Sequence, residues 1–179
     1  IAQENTRLWL TTDVKWPWNG QVFKRLPKAA QPNKTFYTTG TLEPLEERRQ
    51  GVPVDRVRYG HLPDAGHTDG DVYVYLEQQK VLAVGDVVST AGWPTVDYIT
   101  GGWIGGMVGA SQRLLTIANE QTRIVPSRGP VLSYADLKAQ ASMYATIYER
   151  LSTLLNRARG PSEAVAAKPT KEFDAQMGN

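Results

Sequence analysis

"AGHTDGDVYVYLEQQKVLAVGDVV", residues 65–88, contains the signals that decide the fold. Apolar residues alternate along 71–76, and a continuous apolar run follows at 81–84. Alternation is typical of a half-buried strand, an unbroken apolar run is typical of a buried one, and the polar "EQQK" between them favours a turn. The stretch therefore predicts a β-hairpin.

His67 and Asp86 stand at the outer ends of this hairpin, before its first strand and after its second. Since the outer ends of paired antiparallel strands lie side by side, the two side chains are expected to meet at one sheet edge. Imidazole and carboxylate are the groups that bind zinc, iron or manganese where no thiolate is available. Ligands of a shared metal site would have donor atoms within roughly 6 Å. The alternative is a turn-capping Asp86 and a His67 that is hydrogen-bonded in a loop.

The remaining patterns predict a mixed α/β chain with a glycine-rich connection after the hairpin. Before the hairpin they predict a short helix from an Asn5 cap to Leu10, a long loop from Asp13 to Thr39, and a strand from Val54 to about His61. After it they predict a helix over 107–118, a strand at 123–125, a Ser133-capped long helix, a short helix at "PSEAVAA" (161–167), and a polar tail.

Composition excludes several functional classes. The chain has 179 residues with 41% hydrophobic content, enough for one core, and no cysteine for a disulfide framework or a thiolate metal site. Its formal net charge of +2 comes from mixed charges without the clustered basic face of a nucleic-acid-binding protein. No apolar run approaches the roughly 20 residues that span a bilayer.

Common catalytic and binding motifs are also absent. The acidic turn lacks the ligand positions of an EF-hand, and there is no G-x-S-x-G or G-x-x-x-x-G-K motif. The glycines of "GGWIGGMVGA" (101–110) do not form a dinucleotide-binding motif. Close helix packing explains them better.

The order of "AGHTDGDVYVYL", "VLAVGDVV", a glycine-rich loop and helix, "IVPSRGPV" and a long helix resembles a known family. It is similar to the C-terminal half of a metallo-β-lactamase-fold hydrolase, of the group that carries H-T-D-G-D. The resemblance implies part of an αββα sandwich in which one or two metal ions, usually zinc, lie at the sheet edges. Residues 1–179 are therefore expected to form a single, partial domain.

The same resemblance implies that His67 and Asp86 are metal ligands, with His67 on the first metal and Asp86 at the second. Two departures from the family are visible. The H-x-H-x-D-H motif of the first half is absent, so a complete site from this chain alone is not expected. Arg128 in "PSRGP" stands where the family commonly has a histidine, and a guanidinium has no lone pair for a metal. Arg128 either holds a substrate carboxylate or phosphate, or is a turn residue that pairs with a local acid or points to solvent.

Further roles are expected for neighbouring residues. Asp69 and Asp71 are candidates to orient the imidazole or brace its turn. Trp16, Trp18 and Trp93 are candidates to line the mouth of a small-molecule substrate site, although packing of their loops is the simpler reading for Trp16 and Trp18.

The predicted function is a fragment of a metal-dependent hydrolase, in which metal-bound hydroxide attacks an ester, amide, thioester or related bond. The chain by itself is expected to be inactive. It begins with Ile1, which favours a processed or truncated N-terminus, and the absent H-x-H-x-D-H motif implies a missing N-terminal half or partner chain. The alternatives are a non-catalytic binding protein of the same fold and a purely structural fragment. Analogy with the family suggests a periplasmic or secreted location.

Overall fold

The computed structural model describes residues 1–42, 56–90 and 92–178. Its helices are α1 (Glu4–Thr11), α2 (Ile104–Ile117), α3 (Tyr134–Asn156), α4 (Pro161–Ala166) and α5 (Asp174–Met177). Its strands are β1 (Ala2–Gln3), β2 (Val14–Lys15), β3 (Val22–Phe23), β4 (Thr35–Phe36), β5 (Thr39–Leu42), β6 (Val57–His61), β7 (Val72–Leu76), β8 (Val81–Gly85) and β9 (Arg123–Pro126). The chain is thus of the mixed α/β class, as the sequence predicts.

The main sheet has five strands in the order β5-β6-β7-β8-β9. Neighbours from β5 to β8 are antiparallel, and β9 is parallel to β8. The predicted hairpin is β7–β8, which pairs Val74 with Ala83 and Leu76 with Val81. The predicted strand ending at His61 is β6, whereas its expected start at Val54 lies outside the described residues.

One face of this sheet packs against α2 and α3. Tyr75, Leu82 and Ile124 lie side by side across three strands, and all three are buried. They share a hydrophobic cluster with Leu114 of α2 and Leu137 of α3. Burial of these apolar side chains is the main stabilising term for the sheet and its helices. The register of β7 and β8 is set by this core, because a slip of one residue would turn these side chains to the other face.

The other face of the sheet is apolar but only half-buried. Val57, Tyr59, Val72 and Val74 project from it and line an open groove of about 270 Å³ together with N-terminal residues. Valine-rich strands that present apolar side chains on both faces are typical of sheets covered on both sides. This face is thus suited to a second layer.

Two sequence predictions, for residues 13–39 and for the C-terminal tail, were wrong in part. The 13–39 stretch is not all loop, because β2 and β3 form an antiparallel ribbon and β4 pairs in parallel with β1. The polar tail includes α5, whose Met177 is buried against Met143 of α3. In both places a few apolar side chains within a polar stretch pack against distant residues, and local composition does not show which residues these are.

Helix α1 begins one residue before the expected Asn5 cap, and its cap is Gln3.

No helix among the described residues is long and apolar enough to cross a membrane.

Candidate metal centre at the sheet edge

The turn that carries His67 is held by a buried carboxylate. Asp71, 8% exposed, accepts hydrogen bonds from the backbone N–H of His67 (2.7 Å) and from the backbone N–H and hydroxyl of Thr68 (both 2.9 Å). Burial raises the pKa of the Asp71 carboxyl, and the hydrogen bonds from Thr68 and His67 oppose that shift. Asp71 therefore braces the turn, which is one of the two roles expected for it.

The imidazole of His67 is oriented by a backbone carbonyl. Its Nδ1 lies 2.7 Å from the carbonyl oxygen of Thr95, and because a carbonyl only accepts hydrogen bonds, Nδ1 carries the proton. In the neutral ring, Nε2 then has the free lone pair. A backbone carbonyl at the remote nitrogen is the usual way in which a metal-binding histidine is oriented.

Asp86 faces this lone pair from the end of β8. Its Oδ2 lies 3.8 Å from Nε2 of His67. Its Oδ1 accepts a hydrogen bond of 2.5 Å from the hydroxyl of Ser127, whose backbone N–H donates to Gly85 (3.1 Å). The "PSRGP" turn therefore lies at the same edge. The predicted convergence of His67 and Asp86 within about 6 Å is confirmed.

The two donors fit a metal ion by chemistry and by separation. Two zinc ligands at 2.0–2.2 Å from one ion are at most about 4.4 Å apart, so a separation of 3.8 Å allows a shared ion. Within residues 1–42, 56–90 and 92–178, however, no group of three or more histidine, cysteine, aspartate or glutamate side chains is placed to hold a metal. His67 and Asp86 form part of a coordination sphere and need further donors to complete it.

Arg128 follows Ser127 and is exposed. Its backbone carbonyl accepts a hydrogen bond of 3.2 Å from the hydroxyl of Thr90. Its side chain makes no hydrogen bond or ion pair with any residue that the structure describes. A guanidinium without a described partner is available to a substrate anion, and that role stays a prediction.

Asp69 belongs to the contact between the turn and helix α1. Its Oδ1 accepts a hydrogen bond of 2.7 Å from the indole N–H of Trp9, and its carbonyl accepts one from Asn5 (2.9 Å). That carbonyl also accepts a hydrogen bond from His61 (2.8 Å). Its backbone N–H donates to the carbonyl of Thr100 (2.7 Å). None of these described hydrogen bonds of Asp69 involves the His67 ring.

The tryptophans proposed to line a substrate mouth have other described contacts. Trp16 packs against Trp18 and Phe23 on the β2–β3 ribbon, at centroid distances of 4.9 and 4.8 Å. Trp93 donates its indole N–H to the carbonyl of Gly178 (2.9 Å) and packs against the C-terminal residues. In the described part of the chain, none of these three contacts His67 or Asp86 through a hydrogen bond or ring stacking. Their role in substrate binding stays a prediction.

Glycines bring helix α2 against the backbone of the His67 turn. A Cβ atom on Gly102 would collide with the carbonyl of His67, and one on Gly106 with the carbonyls of Asp64 and Ala65. The close packing expected for "GGWIGGMVGA" is therefore present. This packing sets the distance between the turn and the helix.

The segment that links Asp86 to Thr95 is tied to helix α3. The Tyr144 hydroxyl donates to the carbonyl of Val87 (3.1 Å), and the Gln140 amide accepts from Ser89 N–H (3.1 Å) and donates to the Ser89 carbonyl (2.5 Å). Burial raises the pKa of the Tyr144 hydroxyl, so it stays protonated and donates. Sequence reasoning missed these residues, because they act through backbone atoms far along the chain.

Replacing Tyr144 by phenylalanine is expected to destabilise the chain by about 1 kcal/mol, because the buried Val87 carbonyl loses its donor. Urea denaturation followed by circular dichroism measures the change. Tyr148→Phe is the matched control, since Tyr148 is on the same helix, is partly exposed and makes its described contact through its ring. Equal losses in the two variants would show that the Val87 hydrogen bond contributes nothing specific.

The chain is similar in sequence and in structure to known proteins. The family model of the metallo-beta-lactamase superfamily matches residues 4–138. The solved structure of a metallo-beta-lactamase from Pontibacter korlensis is 26% identical with a TM-score of 0.51, over 65% of this chain and 50% of that one. The BLEG-1 B3 metallo-beta-lactamase is 18% identical with a TM-score of 0.52, over 75% of this chain and 59% of that one. The chain thus spans about half the length of these structures. No curated protein matches it.

Proposed function

Because the chain belongs to the metallo-beta-lactamase superfamily, we propose that it supplies His67 and Asp86 to the zinc centre of a hydrolase. The observation that carries the proposal is the 3.8 Å approach of His67 Nε2 to Asp86 Oδ2, with the opposite imidazole nitrogen fixed by Thr95. Bound zinc would lower the pKa of a water molecule and polarise the ester, amide, thioester or related bond under attack.

In this proposal each side chain of the pair has a defined task. His67 presents a neutral nitrogen to the metal, since its proton is held at Nδ1 by the Thr95 carbonyl. Asp86 presents Oδ2, while its Oδ1 is occupied by the Ser127 hydroxyl. Ser127 therefore selects which carboxylate oxygen is directed toward the metal. The exposed Arg128 beside it is proposed to bind an anionic group of a small-molecule substrate.

The missing donors are proposed to come from a segment or partner chain outside residues 1–179. The half-buried apolar sheet face around Val57, Val72 and Val74 supports this, because such a face needs a second layer. The solved structures of the family, about twice the matched length, have room for such a layer. The number of zinc ions and the activity are then properties of the complete assembly.

A non-catalytic binding protein is the second candidate, and Arg128 favours it. Arginine cannot coordinate a metal, so a site that uses this position as a ligand is lost. An intact H-x-H-x-D-H motif elsewhere in the complete protein would favour the hydrolase, and its absence would favour the binding protein.

The metal proposal is tested on the 179-residue chain by calorimetric titration with zinc. We expect weak, substoichiometric binding without turnover of lactam, lactone or thioester substrates, because His67 and Asp86 form an incomplete ligand set among the residues that the structure describes. His67→Ala should abolish that binding, whereas His61→Ala, the matched control on the only other histidine, should leave it unchanged. Binding that survives His67→Ala would refute the assignment. Tight stoichiometric binding with turnover would mean that other side chains of this chain complete the site.

A further inference from the structure

Residues 13–34 form an exposed extension, which we call the basic arm. It contains the β2–β3 ribbon and a short 3₁₀ turn at Lys28–Ala30 before the chain returns to β4. The arm exposes large apolar side chains, with Trp18 59% and Phe23 42% accessible to solvent. An apolar patch of this kind on a protein surface indicates an interaction site.

The arm also concentrates positive charge. It holds five basic residues, Lys15, Lys24, Arg25, Lys28 and Lys34, and a single acidic one, Asp13. Its formal charge is therefore +4, whereas the other residues contain 15 basic and 17 acidic side chains and carry −2. The surface that the arm fits is consequently anionic.

Apolar and basic side chains are interleaved on the ribbon. Val14 pairs with Phe23, and the next pair along the ribbon is Lys15 with Val22. Because successive residues of a strand point to opposite faces, the aromatic group of Trp16 and Phe23 lies on one face and Lys15 on the other. A two-stranded ribbon of this length is marginal by itself, so it gains order from a surface that covers its aromatic face.

The indole N–H groups of Trp16 and Trp18 differ from those of Trp9 and Trp93. Trp9 and Trp93 donate their indole N–H to Asp69 and Gly178. Trp16 and Trp18 donate theirs to no residue that the structure describes. An apolar ring with a free polar edge is the side chain that prefers the boundary between lipid headgroups and acyl chains.

From these observations we infer that the basic arm docks on the surface of an anionic phospholipid bilayer. Trp18 and Phe23 enter the boundary region, and the lysine and arginine side chains contact lipid phosphates. The chain then lies on the membrane without crossing it. This inference does not depend on the proposed zinc chemistry.

Vesicle sedimentation tests the inference with the 179-residue chain. Vesicles of phosphatidylglycerol and phosphatidylcholine in equal parts are compared with vesicles of phosphatidylcholine alone. We expect binding to the anionic vesicles only, with salt dependence. Each basic side chain near such a surface contributes about five-fold in affinity, so Lys28→Gln with Lys34→Gln, two exposed residues of the arm, should weaken binding roughly 25-fold. The control pair Lys168→Gln with Lys171→Gln removes equal charge from the exposed C-terminal region and should bind like the unmodified chain.

The apolar contribution is tested by Trp18→Ser with Phe23→Ser, which we expect to weaken binding at least about 10-fold. Val165→Ser with Leu155→Ser, at exposed positions on the C-terminal helices, is its control. Circular dichroism verifies that all variants are folded. Absence of binding to anionic vesicles, or arm variants that bind like their controls, would overturn the inference. Retention on immobilised polyglutamate without vesicle binding would likewise overturn it and assign the arm to an acidic protein partner.

Discussion

Replacing Gly106 by alanine is expected to destabilise the chain by about 3 kcal/mol or more. The added methyl group would collide with the carbonyl oxygens of Asp64 and Ala65. These are backbone atoms, and they belong to the turn that carries His67, so no side-chain rotation relieves the contact. Helix α2 and the turn must separate. The backbone N–H of Trp103 then loses its hydrogen bond of 3.2 Å to the Ala65 carbonyl.

The measurement is the free energy of unfolding from urea denaturation, with Gly160→Ala as the matched control. A Cβ atom on Gly160 would meet no atom closer than 4.0 Å, and the residue has a negative φ. The control should therefore cost no more than about 1 kcal/mol, because it has no steric clash and alanine is only a poorer helix N-cap than glycine. If Gly106→Ala is as stable as Gly160→Ala, the close approach of α2 to the His67 turn is not present in solution.

Replacing Asp71 by alanine is expected to cost about 3 kcal/mol and to disorder the His67 turn. The carboxylate accepts three hydrogen bonds, and its removal leaves the backbone N–H groups of His67 and Thr68 without an acceptor in a largely buried place. Asp71→Asn keeps one acceptor oxygen and should show a smaller loss.

Thermal and urea denaturation measure this loss, and the amide signals of His67 and Thr68 in NMR spectra report the turn itself. Asp64→Ala is the control, because Asp64 lies in the same turn but is exposed, and its described ion pair, with Arg113, is distant at 4.0 Å. Exposed pairs of this kind contribute less than about 1 kcal/mol. Equal effects of Asp71→Ala and Asp64→Ala would contradict the bracing role.

The hairpin and the pairing of His67 with Asp86 could be predicted from the sequence because both depend on local rules. Alternating and continuous apolar residues specify two strands and a turn, and antiparallel pairing brings their outer ends together. The capped start of α3 is equally local, since Ser133 and Asp136 satisfy each other's backbone N–H groups within one turn. The inference that this pair binds a metal came mainly from the resemblance to a family.

The backbone carbonyls that hold His67 and Trp93 in place could not be predicted in the same way. The Thr95 carbonyl that orients His67 is 28 residues away along the chain, and any residue type could provide it. Trp93 donates its indole N–H to the carbonyl of Gly178, and this contact depends on how the C-terminal residues pack. Neither contact has a signature in composition or spacing.

The sequence by itself therefore determined the β7–β8 hairpin, the capped start of α3 and the edge of the sheet at which His67 and Asp86 meet, because these follow from side-chain alternation and capping between near neighbours. Only the tertiary structure decided which imidazole nitrogen is free and which carboxylate oxygen is occupied, through Thr95 and Ser127. Those choices depend on hydrogen bonds between segments that are distant in the chain. They form only when the core of sheet and helices brings the segments together.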